Sequence, residues 1–432
     1  MSDTQKIPVV RKEYLVPFIL ITSLFALWGF ANDITNPMVA AFKTVMEISN
    51  QKASLIQLAF YGGYGTMAIP AALFIRKYSY KTGILIGLSL YAVGALLFYP
   101  AAKFETFEFF LASLYILTFG LAFLETTANP FILSMGDRET ATRRLNLAQA
   151  FNPMGSLLGM FVASNFILTS LDADKRNEAG ELIFSTLDAA QKAVIRAHDL
   201  SVIRNPYVIL GFVVITMLVV IGLKKIPEKQ KTQEENSSVG ATFSRLFGNL
   251  KYIEGVFAQL FYVAAQIMCW TFIIQYAENL GISKAAAQNL NIIAMVIFLG
   301  CRFVGTFLMK YIKSTQLLMI FAVGGIATIS GVILIEGMMG LYLLVATSAF
   351  MSIMFPTIYG IALNDVSEED SSIGAALLVM AIVGGAVMPF LQAMMIDQET
   401  IAGLPGVNFS FILPLICFVM IAIYGFRCSK RA

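Results

Sequence analysis

Residues 206–223 read PYVILGFVVITMLVVIGL, and residues 224–238, directly after them, read KKIPEKQKTQEENSS. The first stretch carries no charged side chain. A bilayer core of about 30 Å needs roughly 20 mostly apolar residues in a helix, so this stretch predicts a membrane-spanning helix. The second stretch is too polar to enter a bilayer, and it lies near the midpoint of the 432-residue chain.

Similar apolar runs lie on both sides of this pair of segments. Hydrophobic residues make up 58% of the chain and charged residues 13%, whereas soluble domains have about 45–50% and about 25%. In chain order, the runs cover residues 15–38, 54–75, 83–101, 108–134, 147–169, 206–223, 252–275, 290–309, 316–335, 341–363, 373–396 and 408–426. The chain is therefore predicted to be an all-α membrane protein with twelve transmembrane helices.

The polar segment also predicts how the chain is divided. We interpret residues 224–250 as a cytoplasmic linker between an N-terminal six-helix half, residues 1–223, and a C-terminal six-helix half, residues 251–432. Pro130 in the fourth span and Pro356 in the tenth occupy comparable places in the two halves. Two pseudo-symmetric six-helix halves are the architecture of the major facilitator fold.

Lysine and arginine are distributed unevenly among the connections. Most of the 30 such residues lie in the termini and in the even-numbered connections. Positive charge is enriched in cytoplasmic loops, so both termini are predicted to be cytoplasmic. The long fifth connection, residues 170–205, is then external, and its stretch AAQKAVIRAHDLSVI is interpreted as an interfacial or capping helix.

The composition argues against several classes of function. The four cysteines have no metal-ligand spacing, and the single histidine lies in a polar loop, so no metal and no cofactor is expected. A net charge of +3 is too small to indicate nucleic-acid binding. No G-x-x-x-x-G-K loop is present, so no nucleotide partner is expected. An enzyme would need a catalytic constellation that the spans lack, and a secondary transporter of a small polar solute remains.

Three ionisable side chains lie well inside predicted spans: Asp33, Glu125 and Arg302. Each costs about 2.5–3.5 kcal/mol at the bilayer centre, so each needs a reason. Asp33 lies in the outer half of its span and Glu125 nearer the cytoplasm, and both are candidate proton carriers because apolar surroundings favour the neutral carboxyl. Arg302 lies two turns from the cytoplasmic end of its span. We favour a structural role for it, either in a pair with another group or with its long stem reaching the headgroups.

Amide side chains share helix faces with these acids or with each other. Asn36 follows Asp33 by three residues, Asn129 follows Glu125 by four, and Gln149 and Asn152 are three apart. Amides both donate and accept hydrogen bonds, which matches the hydroxyl groups of a sugar. The alternative for each is hydrogen bonding between helices.

Aromatic and amide groups form a stripe on the predicted seventh span. Tyr262, Gln266 and Trp270 are spaced at i, i+4 and i+8, which suits the C–H faces and hydroxyl edges of a carbohydrate. Phe355 precedes Pro356 in the predicted tenth span and is a further candidate contact. The alternative for the stripe is packing between helices.

Four strings carry a family resemblance: LETTANPF at 124–131, RRLNLAQAFNPMGS at 143–156, AQIMCWTFIIQYA at 265–277 and FMSIMFPTIYG at 350–360. They resemble the bacterial L-fucose–proton symporter branch of the major facilitator superfamily. The resemblance implies proton-coupled import of a monosaccharide, most closely L-fucose, across the cytoplasmic (inner) membrane. The branch also contains glucose/galactose and N-acetylglucosamine transporters, which stay as alternatives, as does an uncoupled sugar facilitator.

The resemblance also assigns expected roles to individual residues. The family glutamate that couples sugar and proton binding corresponds to Glu125, and family sugar-site residues correspond to Gln149 and Asn152. Two positions depart from the family pattern. The acid of the family's first helix falls on Asn36, one turn after Asp33, and a tyrosine of its tenth helix is replaced by Phe355.

Overall fold

The computed structural model describes residues 7–35, 38–48, 50–175, 177, 182–227, 238–282, 284–396, 398 and 400–431. Within these residues the secondary structure is almost entirely helical. Twelve helical stretches are long and apolar enough to cross a membrane, which confirms the predicted all-α membrane class with twelve spans. The predicted division of the chain at residues 224–250 into two repeats stays a prediction.

The α-helices are, in chain order, α1 (Leu15–Thr35), α2 (Met38–Val45), α3 (Asn50–Lys77), α4 (Tyr80–Phe104), α5 (Phe107–Ser134), α6 (Ala141–Gln149), α7 (Phe151–Val162), α8 (Ile183–Thr186), α9 (Ala189–Leu223), α10 (Val239–Gly248), α11 (Leu250–Asn279), α12 (Lys284–Leu308), α13 (Ser314–Leu334), α14 (Met338–Met351), α15 (Met354–Asn364), α16 (Ser371–Met380), α17 (Gly384–Ile396), α18 (Gly406–Ser410) and α19 (Ile412–Arg431). Two short strands, β1 (Thr400–Ile401) and β2 (Leu404–Pro405), pair antiparallel, with Thr400 opposite Pro405.

Four of the spans are broken into two α-helices, and three of these breaks have the same cause, the exception being the break between α16 and α17. The three breaks separate α6 from α7, α14 from α15 and α18 from α19. Pro153, Pro356 and Pro414 are each the third residue of the helix that follows the break. A proline has no N–H for the carbonyl four residues earlier, and its ring clashes with that carbonyl. The chain therefore ends one helix and begins another at these points.

Other prolines remain inside continuous helices. Pro70, Pro100, Pro130 and Pro206 lie within α3, α4, α5 and α9. Proline is tolerated in transmembrane helices where neighbouring groups satisfy the freed carbonyl. A proline thus predicts a freed carbonyl reliably, while the size of the distortion depends on the packing around it.

Helix α9 differs from the sequence prediction. Residues 189–205 do not form a separate interfacial or capping helix, because α9 continues through them from Ala189 to Leu223 over 35 residues. Its start is fixed by a capping box. The Gln191 N–H donates to Asp188 Oδ1 at 2.8 Å, and the Asp188 N–H donates to Gln191 Oε1 at 3.3 Å.

The chain forms two compact units. Unit 1 consists of Met1–Thr22, Asn129–Pro153 and Lys229–Ala432, and unit 2 of Ser23–Ala128 and Met154–Glu228. In unit 2, α4 packs against α9, with the rings of Phe98 and Tyr207 stacked 3.9 Å apart.

Helices α1 and α7 approach each other closely within unit 2. A Cβ atom on Gly155 would lie 1.8 Å from the Ala26 carbonyl oxygen. Only glycine allows this contact, because any side chain would push the two backbones apart. The sequence Asn152-Pro153-Met154-Gly155 therefore combines a helix break with a site of close helix approach.

In unit 1, the short helix α6 packs against α15 and α12. Asn146 of α6 donates to the Thr142 carbonyl at 3.0 Å and to Thr357 Oγ1 of α15 at 3.1 Å. Near the start of α16, Arg245 of α10 donates to both carboxylate oxygens of Asp370, at 2.8 and 2.6 Å. Polar contacts thus fix both α6 and α10 within this unit.

Candidate functional site

Two embedded carboxyl groups lie in unit 2. Asp33, on α1, is 6% exposed. Glu125, on α5, is half-buried, and its Oε2 atom is buried with no hydrogen-bond partner among the residues that the structure describes. A buried oxygen without a partner is costly in an apolar setting. Glu125 is thus available to bind a proton or a ligand.

Tyrosines of α3 lie near both acids. Tyr61 lies within electrostatic reach of Asp33, and Tyr64 within reach of Glu125 and of Tyr61. The two tyrosines are three residues apart on one helix, so their side chains share a face. Each tyrosine thus lies near one of the two acids. The two tyrosines were not predicted as site residues, although two tyrosines at this spacing inside an apolar span are a signal that the sequence contains.

An amide pair lies in unit 1 near the junction of α6 and α7. Gln149 Nε2 donates to Asn129 Oδ1 at 3.0 Å, and both side chains are buried. The Asn129 Nδ2 atom is buried without a hydrogen-bond partner in the described part of the chain. Asn152, one turn after Gln149, is half-buried. The pair therefore keeps an unused donor, as a ligand with hydroxyl oxygens requires.

The aromatic stripe of α11 contacts other helices of unit 1. The Trp270 indole N–H donates to Ser348 Oγ at 3.1 Å, and its ring meets Phe298 edge-on with centroids 4.9 Å apart. Gln266, one turn before Trp270, is half-buried. Trp270 thus has a fixed orientation, while part of its surface stays exposed.

Tyr262 and Phe355 also come together. Tyr262 is fully buried, and its hydroxyl donates to the Met351 carbonyl at 3.2 Å. Its ring centroid lies 6.1 Å from that of Phe355, which in turn stacks on Tyr359 at 6.3 Å. The hydroxyl of Tyr262 is hydrogen-bonded within the protein, so a ligand would contact mainly the ring of this side chain.

Of the two structural roles expected for Arg302, extension to the headgroups is not found. The side chain is buried within unit 1. It is 3% exposed, and its guanidinium lies 4.4 Å from the Phe298 ring centroid. Nη1 donates to the Gln149 carbonyl at 2.8 Å, and Nε donates to the Ser352 carbonyl. The side chain of Arg302 therefore binds backbone carbonyls of neighbouring helices and not the headgroups.

One further amide was missed as a candidate. Gln259, on α11, is fully buried, and neither its amide oxygen nor its amide nitrogen has a partner among the described residues. A buried amide in this state calls for a water molecule or a ligand. Its position one turn before Tyr262 on the stripe was the available signal. Asn36, by contrast, lies outside the described residues.

A cluster that resembles a metal site lies in unit 2, before the apolar run of α9. Atoms of Asp172, His198 and Asp199 lie within 4.8 Å of one another. However, both Asp199 oxygens already accept backbone N–H groups, from Asp172 at 2.9 Å and Ala173 at 2.8 Å. A hydrogen bond from the Lys175 ammonium lowers the pKa of Asp172. These partners make the cluster a tie between α9 and the turn at residues 172–174.

Comparison with known proteins identifies relatives over nearly the whole chain. The Major Facilitator Superfamily profile matches residues 19–389. The chain is 66% identical to the L-fucose-proton symporter of Haemophilus influenzae over 98% of both proteins. It is 33% identical to that of Escherichia coli, over 98% of this chain and 95% of the relative. The crystal structure of FucP in the outward conformation matches with a TM-score of 0.87 and 32% identity, over 97% of this chain and 100% of FucP.

Proposed function

This chain belongs to the major facilitator superfamily, and on that premise we propose that it is a symporter that imports L-fucose together with protons. The observation that carries the proposal is the 66% identity to an L-fucose-proton symporter along nearly the full length of both proteins. The twelve apolar helices make the chain a multi-pass membrane protein. We place it in the bacterial cytoplasmic (inner) membrane with both termini on the cytoplasmic side.

In this proposal the sugar binds to amide and aromatic groups of unit 1. Asn129 and Gln149 donate to and accept from ring hydroxyls, with Asn152 and Gln266 adding further contacts. The exposed part of Trp270 packs against a C–H face of the ring. The unused donor of Asn129 and the fixed orientation of the indole support these roles.

Tyr262 and Phe355 complete the apolar wall of the proposed sugar site. L-Fucose carries a methyl group where other hexoses carry a hydroxymethyl group. Phe355 offers a ring without a hydroxyl, and Tyr262 uses its hydroxyl on the Met351 carbonyl. Both are suitable partners for an apolar substituent.

The proton is carried by Glu125, with Asp33 as an outer acid. A protonated Glu125 carboxyl can donate a hydrogen bond and favours sugar binding, and deprotonation towards the cytoplasm promotes release. The buried Oε2 atom, which has no hydrogen-bond partner in the described part of the chain, supports this assignment. Tyr61 adds a hydroxyl group near Asp33, and Tyr64 adds one near Glu125.

Two alternatives follow from the same features. Another monosaccharide, such as glucose, galactose or N-acetylglucosamine, needs the same amides and aromatics, because all of these sugar rings present hydroxyl edges and C–H faces. An uncoupled facilitator needs no titrating group in the membrane, so the buried acids disfavour it.

One experiment distinguishes these functions. The purified protein in weakly buffered vesicles is given L-fucose, then each other sugar, while the external pH is recorded. Symport predicts alkalinisation outside the vesicles on addition of L-fucose, and a smaller or absent signal with the other sugars. Sugar entry without a pH change would replace the symporter by a facilitator, and a stronger signal with another sugar would replace the substrate.

The orientation has its own test. Cysteines introduced at Ala190 and at Ser238, in a variant without the four native cysteines, are exposed to a membrane-impermeant reagent in intact cells. We expect labelling at Ala190 only, because the positive charges place residues 224–250 in the cytoplasm. Labelling at Ser238 alone would invert the topology.

A further inference from the structure

Two backbone carbonyls of unit 1 have lost their helical donors to proline. In an α-helix, the carbonyl of residue i accepts from the N–H of residue i+4. Pro153 removes that donor for Gln149, and Pro356 removes it for Ser352. Both carbonyls lie inside predicted spans, where water cannot replace the missing donor as it does at a helix end in solution.

Arg302 supplies both missing donors. Its Nη1 atom donates to the Gln149 carbonyl at 2.8 Å, and its Nε atom to the Ser352 carbonyl. The guanidinium is a rigid fork whose donors point in different directions, so one side chain can reach two carbonyls on two helices. The hydrogen-bond acceptors of this buried cation are therefore the two carbonyls that the prolines leave without a donor.

The same guanidinium contacts the aromatic part of the proposed sugar site. It lies over the ring of Phe298, 4.4 Å from the ring centroid, and Phe298 meets the Trp270 ring edge-on with the centroids 4.9 Å apart. Arg302 is thus bonded to the backbone carbonyl of Gln149. It is also linked to Trp270 through the ring of Phe298. Phe355 directly precedes Pro356, at the second bend that Arg302 joins.

We propose that Arg302 is a positioning residue for transport, which holds the two proline bends so that Gln149, Asn152 and Phe355 face the sugar. This inference rests on the proposed sugar site. Without Arg302, the two carbonyls lack donors, and each bend relaxes towards a conformation that satisfies its carbonyl elsewhere. The sugar-binding side chains on α7 and α15 then lose their common geometry.

The test is a double-mutant cycle with sugar counterflow as the readout. Counterflow needs no net proton movement, so it isolates sugar binding from coupling. We expect Arg302→Met to raise the KM for L-fucose about tenfold or more, because hydrogen bonds of charged groups are stronger than neutral ones. Arg302→Lys, which keeps the charge and several donors, should recover part of the loss.

Pro153→Ala restores an N–H to the Gln149 carbonyl. In that background, Arg302→Met should raise KM by a smaller factor than in the wild type, and Pro356→Ala should act in the same way on the Ser352 side. If the single effects simply multiply in the double variants, Arg302 does not act through these carbonyls and the proposal fails.

Arg144 provides the matched control. It is also fully buried, and it donates to the carbonyls of Ile132 and Leu133 in the last turn of α5, neither of which precedes a proline by four residues. Arg144→Met should lower the amount of folded protein and leave KM unchanged. An equal rise in KM for both arginine variants would reduce Arg302 to a general stabilising residue and overturn the proposal.

The proposed substrate and the proposed positioning role of Arg302 can be contradicted independently of each other. If the wild-type protein shows counterflow with another sugar and none with L-fucose, the proposed substrate is wrong, and the same cycle is measured with the sugar that is carried. A lower maximum rate with an unchanged KM in Arg302→Met would contradict the positioning role whatever the sugar is.

Discussion

The two compact units differ in the ionisable groups that they bury within the spans. Unit 2 holds the acids Asp33 and Glu125. Unit 1 holds Arg302 together with the amide pair and the aromatic stripe. Groups that can bind a proton thus belong to one unit and groups suited to neutral hydroxyls to the other, although Glu125 and Asn129 are one turn apart on α5. A substitution that keeps the protonated form of Glu125 is therefore expected to change the coupling of sugar to protons and to leave the affinity for sugar unchanged.

The largest expected effect is loss of coupling by a change in unit 2. Glu125→Gln keeps the shape of the protonated side chain and removes its titration. We expect the variant to catalyse counterflow and to fail to concentrate L-fucose above the external level. The measurement is accumulation and exchange of radiolabelled sugar in the same vesicles.

Glu108→Gln is the control for this change. Glu108 lies on the same helix, is exposed, and pairs with Lys52 at 2.7 Å, so accumulation should be unaffected. Accumulation by Glu125→Gln at the level of the wild type would show that the proton travels by another route. The assignment of coupling to Glu125 in unit 2 would then be wrong.

A smaller effect is expected at the outer acid. Asp33→Asn should lower accumulation without abolishing it, because Glu125 still titrates. Adding Asn36→Asp to this variant returns the acid to the position found in the family, one turn later, and should recover part of the accumulation. The comparison is made at several external pH values. Full accumulation by Asp33→Asn at every pH would remove Asp33 from the proton route.

Changes in the amide pair should alter affinity and leave coupling intact. Gln149→Ala removes a side chain that donates to Asn129. Loss of a neutral hydrogen bond costs about 0.5–1.5 kcal/mol, so KM should rise about 2- to 10-fold. The number of protons carried per sugar should not change. A changed proton-to-sugar ratio would show that the amide pair of unit 1 also contributes to coupling.

The smallest effect is expected at Trp270. Trp270→Phe keeps an aromatic ring and loses the hydrogen bond to Ser348, so a rise in KM of about two- to threefold is expected. Ser348→Ala removes the same bond from its other end. The double variant should therefore resemble either single variant. Independent, multiplying effects would mean that the indole N–H contacts the sugar rather than Ser348 during binding.

The number of spans could be predicted because hydropathy alone determines it. The apolar run at 206–223 has the length and composition that a bilayer demands, and so do the other eleven. The course of α9 could not be predicted in the same way. Residues 189–205 are polar enough for water, and the continuity of the helix depends on the capping box at Asp188 and on tolerance of Pro206.

Only part of the candidate site could be predicted, because the sequence shows spacing along one helix and not contacts between helices. Side-chain spacing along one helix suggested Gln149, Asn152 and the aromatic stripe, since these residues are close in sequence. The partner of a side chain on another helix is not given by spacing, so the partners of Arg302 could not be identified from the sequence. The sequence nevertheless contained a signal for both partners. Pro153 and Pro356 leave the carbonyls four residues before them without a helical N–H donor.

Helix α9 has a practical consequence for imaging this 47.3 kDa protein. Its 35 residues extend about 52 Å at 1.5 Å per residue, which exceeds a hydrocarbon core of about 30 Å. Salt bridges from Lys192 and Arg196 to Glu47, at 2.6 and 3.0 Å, brace the part that precedes the apolar run. A small rigid domain fused in helical register at Ala189 would keep a fixed orientation to the transmembrane part of the helix. It would serve as an alignment marker for electron cryomicroscopy.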